Sequence, residues 1–236
     1  MNSILEKSPD LIHIGFPKAG STTLQFEIFF ANERLQLVSE NKNLVAPHVR
    51  IQGQLRSIWK CGDGYNVQEA MEAWSEDISP LIDRSKRTVV SVEGMTLNIV
   101  SHGTVAARLH ELFPDAELLI VLRRQQDVLR SLYDMHPWKQ NDPDRIPVPF
   151  SEWLRGGAYG QGHPLVQGLN YGDVVESYRS FFGAENVHVL IFEKLFNEEN
   201  EQRRLAGMLG EDPGYIIERI NMKPKNEAST HAFRNL

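Results

Sequence analysis

Four short apolar runs punctuate the chain: Leu11 to Phe16, Thr88 to Val92, Ala116 to Leu122 and Val187 to Phe192. Each is nearly continuous in hydrophobicity, the pattern of a strand buried on both faces. Between them the period lengthens. Leu24 and Ile28 stand four apart, as do Phe26 and Phe30. Val105, Leu109, Leu112 and Phe113 form a stripe that Asp115 ends. Val128, Leu129, Leu132 and Tyr133 repeat it, and so do Val174, Val175, Tyr178, Phe181 and Phe182. Such stripes are the core faces of amphipathic helices. Strands alternating with helices predict a parallel sheet covered on both faces, a three-layer α/β/α domain. Ligands in such folds bind at the carboxyl ends of the strands.

Two stretches break the alternation. Gln36 to Tyr65 is mixed and holds His48, Arg50, Arg56, Lys60 and Cys61. Pro137 to Tyr171 is rich in proline and glycine and carries Trp138 and Trp153. Long irregular segments in compact domains are uncommon and are often lids or binding loops. The second stretch, residues 137–171, is therefore expected to be a lid or binding loop on a single domain spanning 1–236. The end, Asn221 to Leu236, is polar, and a loosely ordered tail is expected there.

Bulk properties narrow the classes. A net charge of -6 argues against general nucleic-acid binding and against a polybasic membrane patch. The single cysteine, Cys61, cannot close an internal disulfide, which fits a reducing compartment. Met1 to Asp10 lacks the apolar centre of a signal peptide. No stretch approaches the roughly 20 apolar residues that span a bilayer. A soluble, cytoplasmic protein is the expectation.

The chemistry concentrates where the first run ends. Gly15-Phe16-Pro17-Lys18-Ala19-Gly20-Ser21-Thr22-Thr23 joins a strand to a helix. Unpaired N–H groups and the positive end of a helix dipole meet there, which makes an anion site. Gly15 and Gly20 have the spacing of a triphosphate loop. In that loop the lysine follows the second glycine; here it is Lys18, inside the turn, where it meets an anion from the side. Pro17 stiffens the approach and removes one donor. A plain N-cap explains Ser21, Thr22 and Thr23 equally well, and the two roles are compatible.

Pro17-Lys18-Ala19-Gly20-Ser21-Thr22-Thr23-Leu24 resembles the Pro-Lys-Ser-Gly-Thr-Thr-x-Leu loop of sulfotransferases that use 3'-phosphoadenosine-5'-phosphosulfate (PAPS). A second segment resembles that family's 3'-phosphate motif: Leu118 to Leu122, then Arg123, with Ser131 eight residues on. Asp127 and Tyr133 also fit, while Gln125 replaces the motif's usual proline. Arg124 takes the place of Arg123 if the strand ends one residue later. Asn170 to Gly210 resembles the family's end, with Glu193-Lys194-Leu195 in a segment of mainly structural role. Asn226 to Ser229 and Arg234 faintly resemble a segment near the 3'-phosphate.

The resemblance implies a P-loop-like sulfotransferase fold, with PAPS as donor, PAP as product and no metal. It implies that Pro17 to Thr23 hold the 5'-phosphosulfate and that Arg123 and Ser131 grip the 3'-phosphate. Lys18 is the candidate for leaving-group stabilisation. The general base is Glu93, which ends the second apolar run, or else His136 or His48. The resemblance makes a carbohydrate or glycolipid the expected acceptor, with residues 137–171, which follow the 3'-phosphate motif, as its acceptor-binding lid. His13, within the first run, is expected to be a satisfied core histidine. Two other classes stay open: a nucleotide-dependent kinase, which predicts a Mg²⁺-binding Asp at a strand end, and a module that binds PAP or PAPS without turnover.

Overall fold

The computed structural model describes residues 7–40, 49–51, 53–58, 64–96, 101–134, 149–155 and 169–222. Among these residues six strands form one parallel sheet: β1 (Leu11–Gly15), β2 (Leu35–Ser39), β3 (Val49–Arg50), β4 (Arg87–Val92), β5 (Glu117–Leu122) and β6 (Val187–Ile191). Their order across the sheet is β3-β2-β4-β1-β5-β6. Four of them match the apolar runs, each with one end shifted by one residue. Phe192, expected to end the last strand, instead opens a helix.

β3, and β2 apart from its first residue, fall inside the stretch Gln36 to Tyr65 that breaks the alternation. β2 escapes the apolar pattern because Gln36 and Ser39 interrupt it. Both are nonetheless buried. Gln36 is satisfied by donating to the Leu81 carbonyl at 2.7 Å and accepting from the Asp83 amide at 2.7 Å. A buried amide with both partners met stabilises a strand that hydrophobicity alone would not mark.

The helices are α1 (Ser21–Thr23, continuing as a widened π-helix over Leu24–Phe30), α2 (Val67–Ala73), α3 (His102–Leu112), α4 (Gln125–Asp134), α5 (Phe150–Leu154), α6 (Tyr171–Phe182), α7 (Phe192–Leu195), α8 (Glu199–Leu209) and α9 (Pro213–Asn221). The step from β1 to β2 and the step from β4 to β5 run in opposite directions across the sheet. Right-handed crossovers therefore put α1 and α3 on opposite faces. The packing agrees: α3 lies against α2 and α6, and α1 lies against α9. Arg219 of α9 fastens that second face, donating through Nε to the Glu27 carbonyl at 2.9 Å and pairing with the Glu27 carboxylate at 3.4 Å.

The core is continuous through the sheet. Leu11, Ile12, Ile14, Leu118, Leu119, Ile120 and Val121 have no exposed surface. β1 lies between β4 and β5, so the loop after it emerges at the middle of the sheet's carboxyl edge.

Candidate functional site

The loop after β1 is a tight turn built on left-handed backbone. Lys18 has φ 66° and Gly20 has φ 81°. The Ala19 amide donates to the Phe16 carbonyl at 3.2 Å, which folds Pro17 and Lys18 outward. Phe16 and Ala19 are buried beneath, so the turn is anchored by its apolar residues and presents its polar ones. α1 starts at Gly20 with no side-chain cap. Its first amides thus retain their capacity for an anion. The Ser21 hydroxyl is buried there without a hydrogen-bond partner, Thr23 is half-buried and Thr22 is exposed.

Two glycines fit close contacts. A Cβ on Gly15 would stand 2.6 Å from Ser21 Oγ and 3.4 Å from Cα and Cγ of Glu93. A Cβ on Gly20 would meet the Phe196 ring at 2.8 Å and the Phe192 ring at 3.0 Å. The first contact brings Glu93 against the loop. The second braces the loop from behind.

Glu93 follows the last residue of β4 and begins a 3-10 turn, Glu93–Thr96. The residue as a whole is exposed, yet its carboxyl end lies among protein atoms. Desolvation there raises its pKa above the ordinary 4.5; the Lys18 charge and the nearby Ser21 hydroxyl oppose the rise, and Glu40 adds to it. Ser21 approaches without reaching normal hydrogen-bond geometry, so its effect is the smaller. Glu40, just beyond β2, is paired with Arg56 at 3.1 Å.

Arg123 leaves the end of β5 and turns back to the loop. Its Nη1 donates to the Lys18 carbonyl at 2.7 Å. Its guanidinium lies 4.6 Å from the centre of the Phe192 ring, and its buried Nε has no partner. β5 ends at Leu122, so Arg123 and not Arg124 takes the inward position. Arg124 is exposed, and its amide donates to the Glu193 carboxylate at 2.9 Å. Gln125, where the proline of the resembled motif would stand, donates to the Leu169 carbonyl at 2.7 Å. Tyr171 clamps the same junction: its hydroxyl donates to the Arg123 carbonyl at 2.6 Å and its ring packs edge-on against Phe16. Burial pushes the Tyr171 phenol up to about 12.

Pro17, Lys18, Ala19, Gly20, Ser21, Thr22 and Thr23 thus stand together with Glu93 and Arg123 at one edge. Ser131 lies on α4, half-buried, eight residues beyond Arg123. Tyr133 is engaged elsewhere, its ring packing edge-on against Phe150 and Trp153 of α5. His136, His48 and Cys61 lie outside the described residues, as do most of 137–171 and the tail from Lys223. Among the described residues there is no cluster of three metal-ligating side chains, and no helix is long and apolar enough to cross a membrane.

His13 departs from the expectation in part. It is fully buried, and its Nδ1 lies 2.8 Å from Ser91 Oγ, but its Nε2 has no partner. Desolvation lowers its pKa to about 4, so it is neutral at physiological pH. Sequence reasoning missed Phe196 and Tyr171 and gave Phe192 no part in the site. They reach the loop from far along the chain, and nothing near them in the sequence marks that contact.

No protein-family model matches the sequence, and no curated protein matches it. Solved structures do. A sulfotransferase from Alicyclobacillus acidocaldarius aligns with TM-score 0.57 at 20% identity, covering 88% of this chain and 83% of that one. The sulfotransferase domain from the curacin biosynthetic pathway aligns with TM-score 0.54 at 13% identity, covering 95% and 82%. Mouse sulfotransferase SULT7A1 complexed with PAP aligns with TM-score 0.50 at 14% identity, covering 92% and 66%. The chain has the sulfotransferase fold, an α/β architecture with a parallel central sheet.

Proposed function

We propose that this protein transfers a sulfuryl group from PAPS to an acceptor hydroxyl, of saccharide type. The observation that carries the reading is the loop itself: an uncapped helix start, a buried unpartnered Ser21 hydroxyl, Lys18 inside the turn and Arg123 tied to the Lys18 carbonyl. The orphaned Ser21 Oγ and Arg123 Nε are the groups an anionic donor would satisfy. The amides of Gly20 to Thr23 and the Ser21 hydroxyl bind the 5'-phosphosulfate. Arg123 and Ser131 bind the 3'-phosphate.

Glu93 accepts the acceptor's proton as the new S–O bond forms. Lys18 neutralises the bridging oxygen as the old S–O bond breaks and PAP leaves with the electron pair. The base then sits at a desolvated strand end, where its affinity for a proton is raised. Positive charge at the leaving oxygen is the other main contribution. A kinase reading fares worse, because Ser21 stands where a triphosphate loop carries its lysine.

Calorimetric titration tests the donor half. PAP is expected to bind at least about tenfold more tightly than 5'-AMP, since a charge-assisted contact to the 3'-phosphate contributes about 1.5–3 kcal/mol. Arg123→Ala is expected to remove that preference. Equal affinity for the two nucleotides would sink the proposal. Screening saccharides with radiolabelled donor tests the acceptor half; label appearing only on non-saccharide hydroxyls would reject that class.

A further inference from the structure

Directly below the site, three polar side chains are buried between the sheet and α1. His13 Nδ1 lies 2.8 Å from Ser91 Oγ, and Gln25 Nε2 donates to the same oxygen at 2.9 Å. His13 and Ser91 have no exposed surface, and Gln25 is 4% exposed. Phe29 of α1 covers the imidazole edge-on at 5.6 Å. Burying polar groups in such a place is unfavourable unless each is hydrogen-bonded, and His13 Nε2 is not. Apolar side chains of similar volume often stabilise such a site as well or better. The network therefore does not act chiefly by adding stability.

Its position suggests what it does instead. His13 and Ser91 are register partners on adjacent strands. Two residues further along, β1 ends in Gly15 and the β4 segment reaches Glu93. Gln25 comes two residues after Thr23. The three side chains join the strand leading to the loop, the strand leading to the carboxylate and the helix leading away from the loop. We propose that His13, Ser91 and Gln25 are positioning residues that fix the start of α1 against the end of β4, and so set the spacing between the loop hydroxyls and Glu93. The ligand named in the test rests on the sulfotransferase reading; the juxtaposition does not. Because burial holds the imidazole neutral, the link persists across physiological pH.

The test replaces the three polar side chains together, so that none of them loses a partner within the trio: His13→Leu, Ser91→Ala and Gln25→Met in one chain. Two readouts separate positioning from stability. PAP affinity is expected to fall about tenfold or more while the melting temperature stays level or rises. The Glu93 carboxyl, followed by carbon NMR against pH, is expected to titrate lower than in the parent, nearer an ordinary carboxylate, as the loosened loop admits water. An unmoved Glu93 titration overturns the proposal whatever PAP does. So does a variant that melts much lower but binds PAP as tightly as the parent below its melt. If the triple variant does not fold, Gln25→Met alone is read in the same two ways. If the parent itself does not bind PAP, the donor assignment falls, and the Glu93 titration still decides the positioning role.

Discussion

Glu93 is held by opposed influences, and its behaviour with pH follows from which is larger. Desolvation raises its pKa more than Lys18 lowers it. In the role proposed for it Glu93 works only when unprotonated, so turnover is expected to fall as pH drops through a value above the ordinary 4.5. Stability should run the other way. A carboxyl whose folded pKa lies above its unfolded one favours the folded state at low pH, and that contribution is lost as pH rises through the folded value. Glu93→Gln is thus expected to lower turnover about 10²–10⁴-fold, leave PAP affinity nearly unchanged and raise the melting temperature slightly at neutral pH. Steady-state rates with calorimetry check all three. A variant with full turnover would remove Glu93 from the chemistry.

At the scale of elements, the loop is shaped from behind as much as by its own residues. Gly20 needs a left-handed backbone and also the space against Phe196 and Phe192. Gly210, at the end of α8, needs only the backbone: φ is 70° and nothing stands within 4 Å of its missing Cβ. Gly20→Ala is expected to cost about 1–3 kcal/mol, with the melt falling by about 2–4 °C for each kcal/mol. Gly210→Ala should cost about 1 kcal/mol, the backbone part alone. Equal losses on thermal melting would show that the rings yield freely. The loop, Arg123 and four of the six strands are legible in the sequence because each depends on neighbours within a few residues. Phe192, Phe196 and Tyr171 are not, since only folding brings them to the loop. β2 hides behind Gln36 and Ser39, and β3, with two residues, carries too little pattern to see. The bond between Ser91 and Gln25 is invisible for the same reason as the aromatic brace.

Over the whole molecule, the buried His13 makes stability sensitive to mild acid. Its pKa falls from 6.5 to about 4 on folding, so the unfolded chain binds the proton first. Stability is expected to decline as pH drops from about 6.5 towards 4, by roughly 3 kcal/mol if burial is maintained. His13→Leu should flatten that part of the profile in denaturant titrations taken across it. An unchanged slope would mean the imidazole is solvated before the chain unfolds. The sheet order also bears on how the protein reaches this state. β1 pairs with β4 and β5, joining Leu11 to Val89 on one side and to Glu117 on the other. Contacts between such distant parts of a chain form slowly, and parallel ones more slowly still. The loop's immediate neighbours, Glu93 and Arg123, arrive only when both pairings close. On the proposed reading, nucleotide binding during refolding from denaturant should therefore appear late, after helical signal has recovered, and a nascent chain released before β5 would offer the loop without Arg123.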